Sequence, residues 1–197
     1  MPKYLSEQQF AEMVDNVSIY RIGSKNLNDL SAYSFDMGIA NEYRTFLLKQ
    51  AQPLDNLGIS KTFIMIHNLT HELIGYFTLS ADTIKLTPEE KEISNLEEVP
   101  FMSLPAIKVG KLAINKSLSE RAKKKGYGSF AIEMAISKAY EVLKTGVACR
   151  FITVDADIEY DKNTPIFYEK NGFVRNQSKI SRNNNLTISM RKDIFDE

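Results

Sequence analysis

The stretch from Ile107 to Met134, IKVGKLAINKSLSERAKKKGYGSFAIEM, constrains this chain more than any other: a strand pattern, a basic glycine loop and a helix pattern follow one another without a break. Ile107 and Val109 fall on odd positions and Leu112 and Ile114 on even ones, so a strand of period two cannot send all four to one face. One extra residue near Gly110 or Lys111 would reconcile them, as a β-bulge that bends the strand and leaves main-chain groups unpaired beside a site. A strand buried on both faces, which needs no alternation, explains the pattern equally well.

The loop reads Lys123-Lys124-Lys125-Gly126-Tyr127-Gly128-Ser129. From Ala131 the spacing Ala131, Ala135, Ala139, Val142 gives an apolar stripe, with Glu133, Ser137, Glu141 and Lys144 opposite and Gly146 as the stop. Two glycines at a helix start let a ligand approach the backbone closely. Free N–H groups and the helix dipole favour an anion there, and three lysines add positive charge, so the arrangement suits a pyrophosphate. A lysine run alone is commonly a solvated surface; run, glycines and helix together carry the reading. Gly126-x-Gly128-x-x-Ala131, with Asp155 further on, also fits a dinucleotide fingerprint. That fingerprint wants its glycines directly after the strand, whereas Asn115 to Lys125 intervene, and too little chain follows for a doubly wound sheet.

With 197 residues, 43% hydrophobic and 25% charged, the chain fits a single globular domain over 1–197 carrying a short acidic insertion at about 86–100. A formal net charge of +0 gives no global pull towards nucleic acid. No apolar run is long enough for a bilayer and no signal pattern opens the chain, so the expected compartment is the cytoplasm, with no membrane partner. The single cysteine, Cys149, excludes an intrachain disulfide and a cysteine metal cluster and reads as a buried structural thiol. His67 and His71 flank a turn without a third ligand; no metal is expected, and both read as solvent-exposed.

Ser6 to Gln9 form a capping box that opens a helix carrying Phe10, Met13 and Val14, and Val17 and Ile19 begin a strand. Residues 26–56 hold helical patches, with Tyr43, Phe46 and Leu47 on one face and Pro53 ending them. Thr62–Ile66 and Leu73–Leu79 read as an antiparallel hairpin. Thr87-Pro88-Glu89-Glu90 is a second capping box, opening an acidic segment through Glu98 that reads as a solvated surface helix. Arg150–Val154 is a buried strand and Asp155–Asn163 a polar loop. Thr164 caps a helix that has Pro165 at its first position and ends at Asn171-Gly172. Leu186, Ile188 and Met190 alternate with Thr187, Ser189 and Arg191 in a last strand, after a turn at Asn183-Asn184-Asn185.

Joined to Phe167-Tyr168-x-x-x-Gly172-Phe173, the central motifs resemble those of the GCN5-related N-acetyltransferases. In that family an Arg/Gln-x-x-Gly-x-Gly/Ala loop between a bulged strand and a helix holds the pyrophosphate of acetyl-coenzyme A. Here Lys123 takes the first position, a point charge without the bidentate fork of arginine. The resemblance implies an α/β (α+β) fold, a mixed, mostly antiparallel central sheet flanked by helices with a bulged central strand. It also implies acetyl-CoA as co-substrate, no metal, and acetyl transfer to a primary amine by direct attack. Carried over, Tyr168 would protonate the leaving thiolate, and a phenol of ordinary pKa ~10 is protonated at neutral pH. Asn163 and Phe167 would meet the pantetheine arm, and Leu112, Ala113 and Ile114 would offer main-chain N–H groups to the thioester carbonyl. Lys123, Lys124, Lys125, Gly126, Tyr127, Gly128 and Ser129 would hold the pyrophosphate. Lys111 either orients the acceptor or points to solvent.

Phe35-Asp36-Met37-Gly38, Phe46-Leu47, Gly58 to Phe63 and Gly75 to Leu79 look like the acetyltransferase toxins of type II toxin–antitoxin pairs, which acetylate the amino acid on charged tRNA. The partners this implies are an antitoxin and tRNA, besides the amine acceptor and a second copy in a homodimer. The acidic run Glu89 to Glu98 would repel a phosphate backbone. A non-catalytic acyl-CoA-binding module would keep the glycine loop too, and Tyr168 argues against it.

Overall fold

Local signals set the first helix. Ser6 Oγ accepts the N–H of Gln9 while Gln9 Oε1 accepts the N–H of Ser6, each at 3.1 Å, and this reciprocal box opens α1 (Glu7–Asn16). In the computed structural model, which describes residues 5–24, 27, 29–177 and 186–196, the chain continues through β1 (Val17–Arg21), α2 (Asn41–Lys49), α3 (Ala51–Asn56), β2 (Lys61–His67), β3 (Leu73–Lys85), α4 (Pro88–Ile93), β4 (Ser103–Ile114), α5 (Tyr127–Lys144), β5 (Phe151–Asp157), α6 (Thr164–Lys170), β6 (Val174–Arg175) and β7 (Thr187–Asp193). The turn expected at Asn183–Asn185 lies outside the described residues.

The strands follow the order β1-β2-β3-β4-β5-β7-β6 in a seven-stranded sheet. The pairs β1–β2, β2–β3, β5–β7 and β6–β7 are antiparallel, while the neighbours β4 and β5, joined through a helix, form a crossover of the kind parallel strands need. This is the mixed, mostly antiparallel sheet the sequence implied. No helix among the described residues is long and apolar enough to cross a membrane.

The chain falls into two compact units, one of Pro2–Ser80 with Val109–Ala135, the other containing Ala81–Lys108 and Ile136–Glu197. In the first, Ile22, Phe35, Phe46, Leu47, Ile64, Leu73, Tyr76 and Ala113 form the core, and the Tyr76 ring lies 6.0 Å from Phe46 in a near-parallel stack. Asp55 is buried there against Arg21 Nη2 at 2.5 Å and accepts the Thr62 N–H at 3.1 Å. In the second, Ile84, Leu86, Leu104, Ala106 and Phe151 pack together beneath Leu96 and Val99. Cys149 is buried, and burial pushes its thiol up, out of reach of easy ionisation.

Several expectations need correction. Pro53 does not end the helical region but sits in the first turn of α3, after a break at Gln50, where a missing N–H costs nothing. His67 is buried, its Nδ1 3.2 Å from the Thr70 N–H, so only His71 is a surface turn residue. The strand after Cys149 runs to Asp157 and absorbs the start of the expected polar loop, and Asn163 rather than Thr164 occupies the cap of α6. The acidic helix α4 is not wholly solvated: Glu90 is buried, and its Oε1 accepts from Arg191 Nη1 at 2.6 Å and from the Gln177 N–H at 2.9 Å. Arg191 therefore belongs to the interior despite its place in the polar alternation of β7.

Candidate active site

The loop ahead of α5 is fastened by its side chains. Tyr127 is buried, and its hydroxyl donates to Ala122 O at 2.7 Å; burial first, then the carboxylates of Glu12 and Glu72, push the phenol up to about 12. Ser129 is buried as well. Neither side chain is available to a ligand, so of these two residues only the main-chain N–H groups remain. They are among the first donors of an 18-residue helix, which have no acceptor inside it. Gly126 has φ +103, and a Cβ there would stand 2.5 Å from Leu5 Cδ2 and 3.2 Å from Met13 Cε. The positive φ is what calls for glycine here, and a larger residue would also have to push aside the ends of the Leu5 and Met13 side chains. Lys124 is held by Glu12, Lys123 lies 3.4 Å from Glu120, and both Lys123 and Lys125 are exposed. Main-chain donors at a helix start with mobile cations beside them form a donor set that fits a diphosphate.

β4 breaks its burial parity, but upstream of Gly110 and Lys111, where the sequence expected an extra residue. Leu104 and Ala106 are buried, then Val109 and Ala113, so the parity of burial breaks between Ala106 and Val109; Leu112 and Ile114 are only half-buried. At Lys111 the main-chain N–H donates to Thr78 Oγ1 at 2.9 Å. Asn115 N–H donates to Ile74 O at 2.8 Å, so residues 111, 113 and 115 turn their polar main-chain groups towards β3. Successive peptides point to opposite strand edges, which directs the N–H groups of Leu112 and Ile114 away from β3 and leaves Ala113 facing it.

α6 brings Asn163, Phe167 and Tyr168 into one helical turn and a half. The Tyr168 ring is buried edge-on between Phe167, at 5.0 Å, and Phe173, at 5.4 Å. Tyr76 and Tyr127, also buried, give their hydroxyls to Tyr43 O and Ala122 O, both as hydrogen bonds under 3 Å. The Tyr168 hydroxyl has no such partner among the described residues, which is unusual for a buried tyrosine. Burial, and then the neighbouring Asp157 carboxylate, push its phenol far above the ordinary range, so it holds its proton at any physiological pH. Asn163 is exposed, its N–H on Asp161 Oδ1 at 2.8 Å and its side chain making no capping bond.

Two residues gained roles that sequence reasoning left open or missed. Lys111 does not simply reach solvent: its Nζ stands 4.6 Å from the Tyr43 ring centre and 5.4 Å from that of Phe46, with Glu42 Oε1 at 3.4 Å. Asn115, directly after β4, accepts the N–H groups of Asp36 and Ser117 at 3.0 Å and donates to Ser34 O and Leu73 O at 2.9 Å. A lone buried asparagine at a strand end was the available signal. Among the described residues no group of three or more His, Cys, Asp or Glu is arranged to hold a metal.

The sheet order, the helix-linked β4–β5 crossover and the glycine turn into α5 make up a fold that the chain shares with solved structures. Solved structures similar to the chain include a tyrosine-to-phenylalanine mutant of KacT, with a TM-score of 0.67, 19% identity and coverage of 91% of this chain and 95% of that one. AtaT complexed with acetyl-methionyl-tRNAfMet matches with a TM-score of 0.64 and 21% identity over 88% of this chain and 94% of that one. AtaTR bound with AcCoA matches with a TM-score of 0.60 and 21% identity over 89% and 93%. No protein-family model matches, and no curated relative is found.

Proposed function

We propose that the chain is an N-acetyltransferase that moves the acetyl group of acetyl-CoA to a primary amine, acting as one catalytic domain in the cytoplasm. The observation that carries this is the opening of α5: the first main-chain donors of a long helix with exposed lysines beside them, in a fold shared with AtaTR bound with AcCoA. Acetyl-CoA supplies a thioester whose carbonyl carbon is open to attack. The start of α5, with Lys123 and Lys125, holds the diphosphate and so fixes the position of the reactive end. The N–H of Leu112 or Ile114, turned away from β3, donates a hydrogen bond to the carbonyl oxygen and stabilises the negative charge that grows there as the amine nitrogen adds. As the carbon–sulfur bond breaks, Tyr168 hands its hydroxyl proton to the departing sulfur, the amine loses its proton to water, and the phenolate takes a proton back from water to restore the acid. Asn163 offers an unengaged amide to the pantetheine arm. Ala113, whose main chain faces β3, has no part in this.

A second, narrower reading is that the amine belongs to an aminoacyl-tRNA and that an antitoxin restrains the enzyme. It is favoured by the likeness to AtaT complexed with acetyl-methionyl-tRNAfMet and to AtaT bound to the C-terminus of the antitoxin AtaR. Calorimetry with coenzyme A, followed by an assay of thiol release from acetyl-CoA over a panel of amines and charged tRNAs, tests both. Heat with coenzyme A and release with an amine are expected; no heat removes the first reading, and release with small amines but not charged tRNA removes the second.

A further inference from the structure

The connection from Lys85 at the end of β3 to Ser103 at the start of β4 concentrates negative charge and bare apolar surface. Between Leu86 and Met102 it carries Glu89, Glu90, Glu92, Glu97 and Glu98 against the single cation Lys91. Glu90 is turned inward onto Arg191. Lys91 is buried, with its ammonium donating to Val99 O at 2.7 Å. The four glutamates left on the surface therefore outnumber the one cation of the segment, Lys91, whose ammonium is engaged by Val99 O. Beside them Ile93, Phe101 and Met102 are 72%, 68% and 60% exposed. One bare apolar side chain is ordinary, but three large ones within ten residues, next to a concavity, mark a contact surface.

The concavity has a volume of about 430 Å³, with Leu86, Pro88 and Met102 supplying apolar walls, Glu89, Glu92 and Glu97 an acidic rim, and Lys91, its ammonium on Val99 O, the one cation of the lining. Its floor is held in advance: the Thr87 capping box and the Glu90–Arg191 pair fix α4 to β7, so little ordering is left for a partner to impose. An apolar centre with a charged border is the build of a protein interface. The charge selects the occupant. A second copy meeting this patch by two-fold symmetry would set glutamates against glutamates, and a nucleic acid would bring phosphate to carboxylate. A metal ion is not suited either, since these carboxylates form no ligating group.

We propose that the pocket receives a cationic amphipathic segment of another polypeptide. That segment inserts an apolar side chain between Leu86 and Met102 and lays arginine or lysine along Glu89, Glu92 and Glu97. This surface is independent of the acyl-transfer reading. A synthetic helical peptide of about five turns, leucine at positions i, i+3, i+4 and i+7 and arginine elsewhere, is the probe, with a twin in which glutamate replaces arginine. Fluorescence anisotropy with the full chain should give saturable binding of the arginine peptide that weakens with salt, and none of the twin. The combined Glu89→Lys, Glu92→Lys and Glu97→Lys variant should lose roughly tenfold or more in affinity, and Met102→Ser roughly tenfold. All four side chains are exposed, so unchanged melting curves check that these variants fold. No binding, equal binding of both peptides, or binding that neither variant reduces would overturn the proposal. So would a wild-type dimer in sedimentation that Met102→Ser dissolves, because the occupant would then be a second copy.

Discussion

The starts of α5 and α6 are built on opposite plans. At α5 the side chains of Tyr127 and Ser129 face inward and the groups left for a ligand are main-chain N–H donors and exposed lysines. At α6 the proposed group with chemistry is one side chain, Tyr168, packed edge-on between two phenylalanines, its hydroxyl without a hydrogen-bond partner among the described residues. A site made of backbone tolerates changes of side chain but not of backbone geometry, and a site made of one side chain does the reverse. Substitutions should therefore divide cleanly between the two.

The largest effect is expected at Tyr168. Tyr168→Phe keeps the ring and its edge-on contacts and removes only a hydroxyl that bonds nothing among the described residues. Turnover should fall by about 10²-fold or more, while coenzyme A binding by calorimetry and the melting temperature stay close to those of the parent. Because burial and Asp157 raise the phenol's pKa, the acid form persists as pH rises, and turnover should not decline near pH ~10, where a free tyrosine would ionise. A tenfold loss of coenzyme A affinity in Tyr168→Phe, or unaltered turnover, would break the contrast.

Gly126 tests the other plan. Alanine there must adopt φ +103 and place its Cβ 2.5 Å from Leu5 Cδ2, a strain of about 1–3 kcal/mol. Thermal unfolding of Gly126→Ala should register that loss, and the affinity for coenzyme A should fall with it because the donors of α5 are displaced. Loss of affinity without loss of stability would mean that a ligand alone demands the glycine.

Acid should also weaken the unit that contains the start of α5. Burial alone would raise the Asp55 pKa, but hydrogen bonds from Arg21, the Thr62 N–H and Lys61 outweigh it and hold the carboxyl below its ordinary value. A depressed folded-state pKa gives stability that is complete above the unfolded value of about 4 and drains away as pH falls through the folded one. About 1–2 kcal/mol is at stake, discounted because Arg21 is more than half exposed. Denaturant melts of Asp55→Asn should be flatter between pH ~5 and ~2 than those of the parent; parallel curves would take Asp55 out of the acid response.

What could be read ahead of the structure was local. Both capping boxes, the α5 stripe with its stop at Gly146 and the β2–β3 hairpin depend on residues within a turn or two of one another. The residues proposed for the site could be picked out for the same reason, since each lies in a short run. Partnership across the chain was not. Glu90 and Arg191 stand 101 residues apart and each looks solvent-bound in its own segment, and His67 looks exposed until its burial is seen. The extra residue was expected near Gly110 from Leu112 and Ile114, side chains that do not mark the core face; Leu104, Ala106, Val109 and Ala113 mark it, and the parity breaks before Val109. Which of Leu112, Ala113 and Ile114 could meet a carbonyl depended on pairing with β3, and a single strand's sequence does not encode its neighbour's register.

The smallest effect is expected at Lys123, and it separates the two plans most finely. Its ammonium is exposed and shares a loose ion pair with Glu120 at 3.4 Å, so it reaches a diphosphate only as a screened point charge. Lys123→Ala should raise the KM for acetyl-CoA by roughly twofold to fivefold, the range of an exposed charge contact, with kcat unchanged. The difference from the parent should shrink as salt rises and screens the charge that was lost. Lys123→Arg decides the remaining point. If the main-chain donors of α5 carry most of the binding, a fork in place of a point charge adds little. If it tightens binding by tenfold or more, the side chain leads at this helix start as well, and the contrast with α6 fails.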